Sequence, residues 1–246
     1  MNENVDIFIC THKDFDKIVS NEVYKVLDSR NFKEYYKIFG KLTDVELSEW
    51  YHMYYMVENI ELKDYVGICH YRRYFEFKDD IPDINEIFKT HDIITRTPIK
   101  LQTNVVSQYA ACHNIEDLVI MGKIIKQKFP EYYDTFKEFL NNTKMIPCNM
   151  VIMKKDDFLK FMEFTKDFLK EFLWIIGIDV YKRVFDNEEK YIKRFKPNSL
   201  PSYQMRLITF ILERLTNIFI LKNFSNIKTY DVIVTENKYN LKNNTI

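Results

Sequence analysis

Residues 67–75, Gly-Ile-Cys-His-Tyr-Arg-Arg-Tyr-Phe, run from a short apolar strand straight into a histidine and two adjacent arginines set between tyrosines. Guanidinium groups carry forked N–H donors that match phosphate oxygens better than an ammonium does, so Arg72 and Arg73 at a strand end suit an anion. Pairing with surface carboxylates would account for the same residues without a ligand. Two further polar groups adjoin apolar runs: Thr11-His12-Lys13 after residues 5–10, and Asn149 ahead of residues 150–153. Two carboxylates stand out, Glu213 within the apolar run LITFILERL and Glu49 on the segment before the HYRRYF strand. His113 and Asp117, four apart, would share one face of a helix, a common spacing in any solvated helix.

The elements that must position these groups follow from hydrophobic period. Residues 5–10, 65–69, 92–95 and 149–153 read as short buried strands. Helical spacing fills residues 46–59, 115–128, 131–141, 156–173 and 202–221. Strand, helix, strand over residues 5–69 predicts a parallel unit, and the alternation throughout predicts an α/β layered sheet. In such sheets ligands collect at the carboxyl ends of the strands, where Thr11-His12-Lys13 and His70-Tyr71-Arg72-Arg73 fall. Residues 177–201, with FDNEEK and two prolines, read as a surface loop or lid. Asp14-Phe15-Asp16 and Asp156-Asp157 read as acidic pairs at helix N-termini.

Composition sets the outer limits. The chain has 246 residues and 46% hydrophobic content, enough for one sizeable core. Lys+Arg and Asp+Glu are both 36, so no overall field favours nucleic acid and any anion site must be local. Four scattered cysteines lack metal-ligand or CxxC spacing, which suits free thiols in a reducing cytoplasm. No leader or membrane-span pattern is present. Aromatic residues reach 16%, suited to stacking on sugar faces but equally the product of biased codon usage. A P-loop, a GxGxxG fingerprint and a Ser-His-Asp or Cys-His arrangement are all missing, against a kinase, a dinucleotide oxidoreductase or a nucleophilic hydrolase.

The run from Asp64 to Phe75, DYVGICHYRRYF, resembles the signature of a bacterial family of capsule and exopolysaccharide glycosyltransferases once catalogued as a domain of unknown function. Thr11-His12-Lys13, Glu49, Cys148-Asn149-Met150, Tyr203-Gln204-Met205-Arg206 and Glu213-Arg214-Leu215 resemble its other motifs, in the same order. The segment between Lys13 and Glu49 is shortened and residues 177–201 are lengthened relative to that pattern, which bears on the acceptor more than on the reaction class.

The resemblance implies a GT-A-like, Rossmann-type mixed sheet flanked by helices in a single domain over residues 1–246. Residues of about 1–100 would form its nucleotide-binding half, and about 101–246 an acceptor-side half with a helical end. It implies transfer of a sugar from a nucleotide donor, UDP-linked and of galactose or galactofuranose type, to a capsular, exopolysaccharide or lipopolysaccharide acceptor. Glycosyl transfer needs a bound leaving group and, for inversion, a carboxylate to take the acceptor proton. Arg72 and Arg73, with His70 as a further donor and Tyr71 beside them, would hold the diphosphate. Alternation along an extended strand would turn only one arginine toward it. Thr11, His12 and Lys13 would hold base and ribose, and Asn149, His113, Asp117, Arg206 and Arg214 would surround sugar and acceptor. Glu213 is the first candidate base and Glu49 the second. HxR stands where many GT-A enzymes place a metal-binding Asp-x-Asp, so cationic side chains are expected in place of a divalent metal, with no other cofactor. Expected partners are a nucleotide sugar and a glycan or lipid-linked glycan, and no nucleic acid. Contact with the inner membrane face through residues 205–224, or with polysaccharide-assembly proteins, is the alternative to burying that helix in the core. A non-catalytic nucleotide-sugar-binding or glycan-binding scaffold would carry the same pocket.

Overall fold

A computed structural model describes residues 2–33, 37–192 and 201–235. Its strands are β1 (Val5–Thr11), β2 (Tyr24–Asp28), β3 (Tyr65–His70), β4 (Arg73–Phe75), β5 (Ile93–Arg96), β6 (Ile99–Lys100), β7 (Lys144–Met145), β8 (Val151–Lys154), β9 (Ile227–Tyr230) and β10 (Val232–Val234). Its helices are α1 (Asp44–Leu47), α2 (Glu49–Asn59), α3 (Ile84–Ile87), α4 (Val105–Cys112), α5 (Ile115–Lys128), α6 (Tyr133–Asn141), α7 (Lys155–Ile176), α8 (Val180–Asp186), α9 (Glu188–Ile192), α10 (Pro201–Gln204) and α11 (Leu207–Asn223).

Every residue of β1 is buried, as expected of a strand covered on both faces. The pleat sends Val5, Ile7 and Ile9 into one apolar cluster and Phe8 and Cys10 into another. β1 pairs in parallel with β2 on one side and β3 on the other, so the strand-helix-strand expectation holds. β8 then joins β3 antiparallel, β5 joins β8 antiparallel, and β9 closes that edge parallel to β5. β4 folds back from β3 and carries β10 beside it. The result is a mixed sheet of eight strands into which the chain's last described segment returns. Gly67 lies where strands crowd: a Cβ there would meet Ile7 Cγ1 at 2.9 Å and Ile152 Cγ1 at 3.1 Å.

One face of the sheet is covered by α2, α7 and α11. Along α7, Phe158, Phe161, Met162, Thr165, Phe168, Leu169, Phe172 and Ile176 recur at the three- and four-residue spacing of a helix laid on a core. α11 is buried nearly all round, so this stretch is a core helix and not a membrane-resting face. The opposite face is covered by α3 and the coil carrying Phe15, Ile18 and Val19.

Several boundaries differ from the sequence reading, each for a local reason. The helix expected over residues 46–59 is broken at Ser48, whose φ of 50° ends α1 and starts α2. Residues 14–20 form no helix, and Asp14 pairs with Arg30 instead of lying at a helix N-terminus. Residues 180–192, expected as loop, form α8 and α9 because Val180, Val184 and Tyr191 reach the core. The remainder of that expected loop, residues 193–200, lies outside the described residues. The strands β2, β9 and β10 went unforeseen because they are short and partly exposed, and β4, whose Tyr74 and Phe75 are buried, because it is only three residues long.

Candidate functional site

A cavity of about 580 Å³ opens at the carboxyl ends of β1 and β3, within the size range of small-molecule sites. Four of the chain's five histidines line it: His12, His52, His70 and His113. So do four arginines, Arg72, Arg73, Arg206 and Arg214.

The HYRRYF segment is not one extended strand. β3 ends at His70, Tyr71 and Arg72 form a turn, and Arg73 pairs back against His70 to begin β4. A turn escapes the two-residue alternation, so both arginines line the cavity, where alternation predicted one. Tyr71 is the buried support of this corner. Its ring lies 5.2 Å from the Arg72 guanidinium and 5.4 Å from Lys13 Nζ, with the His12 ring edge-on at 5.6 Å. Arg72 and Arg73 make no ion pair among the described residues. Arg206 makes none either; its Nε donates to Ser48 Oγ at 2.9 Å.

Ser48 also aims the start of α2. Its unusual backbone turns Glu49 and His52 into the cavity wall. The Glu49 carboxylate accepts from Asn149 Nδ2 at 2.7 Å, and Asn149 Oδ1 in turn accepts from Thr216 Oγ1 at 2.7 Å. Asn149 is thus fully buried and engaged, holding a carboxylate rather than facing a ligand. Cys148 and Asn149 both have positive φ, 67° and 49°, a costly conformation outside glycine. That twist lets the backbone of Cys148 reach two groups. Its N–H donates to Glu213 Oε1 at 2.7 Å, and its carbonyl lies 2.9 Å from His70 Nε2. His70 therefore spends its Nε2 hydrogen on protein, leaving Nδ1 for the cavity. Arg214 Nη1 donates to Glu213 Oε2 at 2.9 Å, and Nη2 donates to Gln108 Oε1 at 2.8 Å. Arg214, which lines the cavity, thus orients Glu213.

Burial fixes the protonation of most titratable neighbours. His52 is pushed down by desolvation; its Nε2 lies 2.7 Å from the Thr11 carbonyl and Nδ1 3.2 Å from that of Ser48. His12 is lowered by desolvation and by Lys13. Desolvation and the nearby Arg214 charge push His113 down to about 3. These three imidazoles are neutral near pH 7, so the cavity's positive charge comes from arginine. The Cys10 and Cys148 thiols are raised by burial and stay protonated, against cysteine nucleophile chemistry. Among the described residues no group of three His, Cys, Asp or Glu side chains is placed to hold a metal ion.

Other expected site residues lie elsewhere. Thr11 is buried and closes a turn, its Oγ1 donating to the Lys13 carbonyl at 2.7 Å. Lys13 lies over Tyr71 at the corner's flank. Asp117 does not share a helix face with His113: His113 caps the end of α4, and Asp117 sits in the first turn of α5. Its buried carboxylate accepts from Arg183 Nη2 at 2.7 Å and from Tyr191 Oη at 3.1 Å, which pins α8 and α9 to α5. His113 does line the cavity, stacked on Phe210 with ring centres 4.0 Å apart. Tyr203, from the Tyr203-Gln204-Met205-Arg206 motif, lines it as well, as do Asp44, His52 and Gln108, which carried no sequence signal beyond their type.

Comparison with known proteins agrees with this architecture. The apo structure of the bifunctional glycosyltransferase WbbM matches with a TM-score of 0.68 at 19% identity, over 95% of this chain and 46% of that one. This chain therefore spans less than half the length of that protein, and the likeness is one of fold, a GT-A-like mixed sheet flanked by helices. No curated protein matches. A family model described as a domain of unknown function, DUF4422, matches residues 6–224, from β1 through the HYRRYF hairpin to the end of α11. The chain belongs to the DUF4422 family.

Proposed function

We propose that this protein is a glycosyltransferase that binds a nucleotide-sugar donor in the cavity and transfers the sugar to a glycan or lipid-linked glycan acceptor. The observation that carries this reading is the trio Arg72, Arg73 and Arg206. All three line one cavity at the strand ends without a carboxylate partner among the described residues, in a chain with no net charge. Unpaired guanidiniums in a partly desolvated cleft favour a polyanion, and a diphosphate at the carboxyl ends of β1 and β3 fits the site. The donor is UDP-linked, of galactose or galactofuranose type, and the acceptor belongs to a cell-surface polysaccharide assembled from the cytoplasm.

In this reading the acceptor oxygen attacks the anomeric carbon. The bond from that carbon to the diphosphate oxygen breaks, and the electron pair leaves with the nucleotide. Arg72, Arg73 and Arg206 offset the charge that develops on the diphosphate, so no divalent metal is needed. Glu213 takes the acceptor proton, giving inversion. Its side chain is 20% exposed where that of Glu49 is 5% exposed, so Glu213 is the carboxylate an incoming hydroxyl can reach. Cys148 N–H and Arg214 fix its orientation and leave a lone pair on each oxygen. Glu49 positions Asn149 and lies 3.8 Å from His70.

Calorimetric titration of UDP and UDP-sugars, with and without manganese, tests the binding step. Wild type should bind without metal, and Arg72→Ala or Arg73→Ala should lose affinity by about tenfold or more, the loss of one charge-assisted hydrogen bond. Absence of nucleotide binding, or binding that requires manganese, would refute this assignment. Donor hydrolysis retained in wild type and lost in Glu213→Gln, with donor binding kept, marks catalysis. Donor bound with no hydrolysis and no transfer to any acceptor marks a scaffold.

A further inference from the structure

The arginines of the cavity account for an anion and leave its aromatic wall unexplained. Tyr203 of α10 and Phe210 of α11 both line the cavity, with His113 beside them. The Tyr203 and Phe210 ring centres are 5.2 Å apart and those of His113 and Phe210 are 4.0 Å apart. Tyr203 and His113 lie nearly parallel, with 13° between their planes. Flat, uncharged rings gathered on one wall suit C–H groups rather than phosphate oxygens.

The order of residues along α11 places that wall within the reaction. Arg206, Phe210 and Glu213 are four and then three positions apart, so they share one helix face, and all three line the cavity. A cation comes first, a ring next and a carboxylate last. The two charged positions are about 10 Å apart along the helix axis. That leaves room for one sugar ring between a leaving diphosphate at Arg206 and an incoming hydroxyl at Glu213. Tyr203 belongs to the same interval. Its carbonyl accepts from the Arg206 N–H at 3.2 Å, and its phenol, raised mainly by burial, also feels the charges of Arg206 and Glu213 in opposite senses.

Gln204 gives the wall one directed polar group. It is buried, and its Nε2 donates to the Cys112 carbonyl at 3.1 Å, which turns Oε1 toward His113 Nδ1 at 3.4 Å. An oxygen there requires the hydrogen on Nδ1, so the neutral His113 ring keeps its lone pair on Nε2 and can accept from a hydroxyl. Ring faces for C–H groups and an acceptor for a hydroxyl are what a hexose needs and a phosphate does not.

We propose that Tyr203, Phe210 and His113 form the subsite for the transferred sugar, with the hexose laid on the Tyr203 ring and one of its hydroxyls donating to His113 Nε2. This assignment rests on the glycosyltransferase reading and adds to it the place of the donor sugar. Its signature is a loss that UDP-sugars suffer and UDP does not.

The experiment titrates UDP, UDP-galactose, UDP-galactofuranose, UDP-glucose and UDP-N-acetylglucosamine into wild type, Tyr203→Leu and Tyr203→Phe by calorimetry, with melting temperatures measured alongside. Leucine fills space without a flat face. Tyr203→Leu should weaken the UDP-sugar that wild type binds most tightly by about tenfold, and should change UDP affinity by less than about twofold. Tyr203→Phe, which keeps the ring, should restore the loss. In wild type, saturating the aromatic protons should transfer magnetisation to the ring protons of the bound sugar, a readout that needs no variant and decides the matter if Tyr203→Leu melts early. Equal losses for UDP and UDP-sugar, no loss for either, or no transfer to the sugar protons would overturn the subsite and leave nucleotide binding standing. A wild type that binds no nucleotide fails one step earlier, at the glycosyltransferase reading, and the subsite falls with it.

Discussion

His113 makes stability depend on acidity in a direction and size that follow from its surroundings. Desolvation and the Arg214 charge hold the folded imidazole near 3, against a value of about 6.5 in the unfolded chain. Below about pH 6.5 the unfolded state binds a proton that the folded state refuses, so folding loses stability as pH falls. The contribution is negligible at pH 7.5 and reaches about 2 kcal/mol at pH 5, from about 1.36 kcal/mol per pH unit over about 1.5 units. Other groups titrate in the same window, so the measurement is a difference. Urea unfolding of wild type and His113→Phe, which keeps a ring against Phe210, would be compared at pH 7.5 and pH 5. Wild type should lose about 2 kcal/mol more than the variant over that interval. Equal losses would show that His113 is protonated in the fold, and the account of a neutral, arginine-repelled imidazole would be wrong.

Other substitutions probe the frame around the cavity. Gly67→Ala should destabilise by about 1–3 kcal/mol through overpacking against Ile7 and Ile152, and a melting temperature equal to wild type would contradict that crowding. Asn149→Ala removes the donor to Glu49 and the side chain best suited to positive φ, so a loss of about 2–4 kcal/mol in chemical denaturation is expected. A variant as stable as wild type would mean that Glu49 finds another donor. Arg183→Met leaves the Asp117 carboxylate buried with Tyr191, at a cost of about 3–5 kcal/mol. Adding Asp117→Leu should recover much of that loss, and a double variant no better than Arg183→Met would show that packing, not the stranded charge, sets the cost.

The parts of the fold written in periodicity were legible. β1 and β3 are short, mostly apolar runs, β1 interrupted by Asp6, and α5 is bounded by Asn114 as its N-cap and by Phe129. Edge strands such as β2, whose two buried residues Tyr24 and Leu27 stand three apart instead of on alternate positions, carry too little pattern to be distinguished from loop. The HYRRYF residues were legible as a cationic group at a strand end, and both Arg72 and Arg73 do line the cavity. Their common direction was not legible, since it comes from a turn that no residue in the run announces. Asp117 shows the other limit. Its meaning depends on Arg183, 66 positions away, and spacing within one helix says nothing about such a partner. Asn149 is a related case, since its hydrogen-bond partners lie 100 residues before it and 67 after it.

The twisted peptide at Cys148 has one more consequence. Its two polar groups join a carboxylate on the last long helix to an imidazole at the end of a central strand, so the spacing between them is set by main chain rather than by rotamers. A change of side chain at position 148 leaves that link in place, whereas any failure of α11 to seat withdraws Glu213 from it. The site therefore acts as a coincidence detector for assembly: its wall is complete only when segments from early and late in the described chain have arrived.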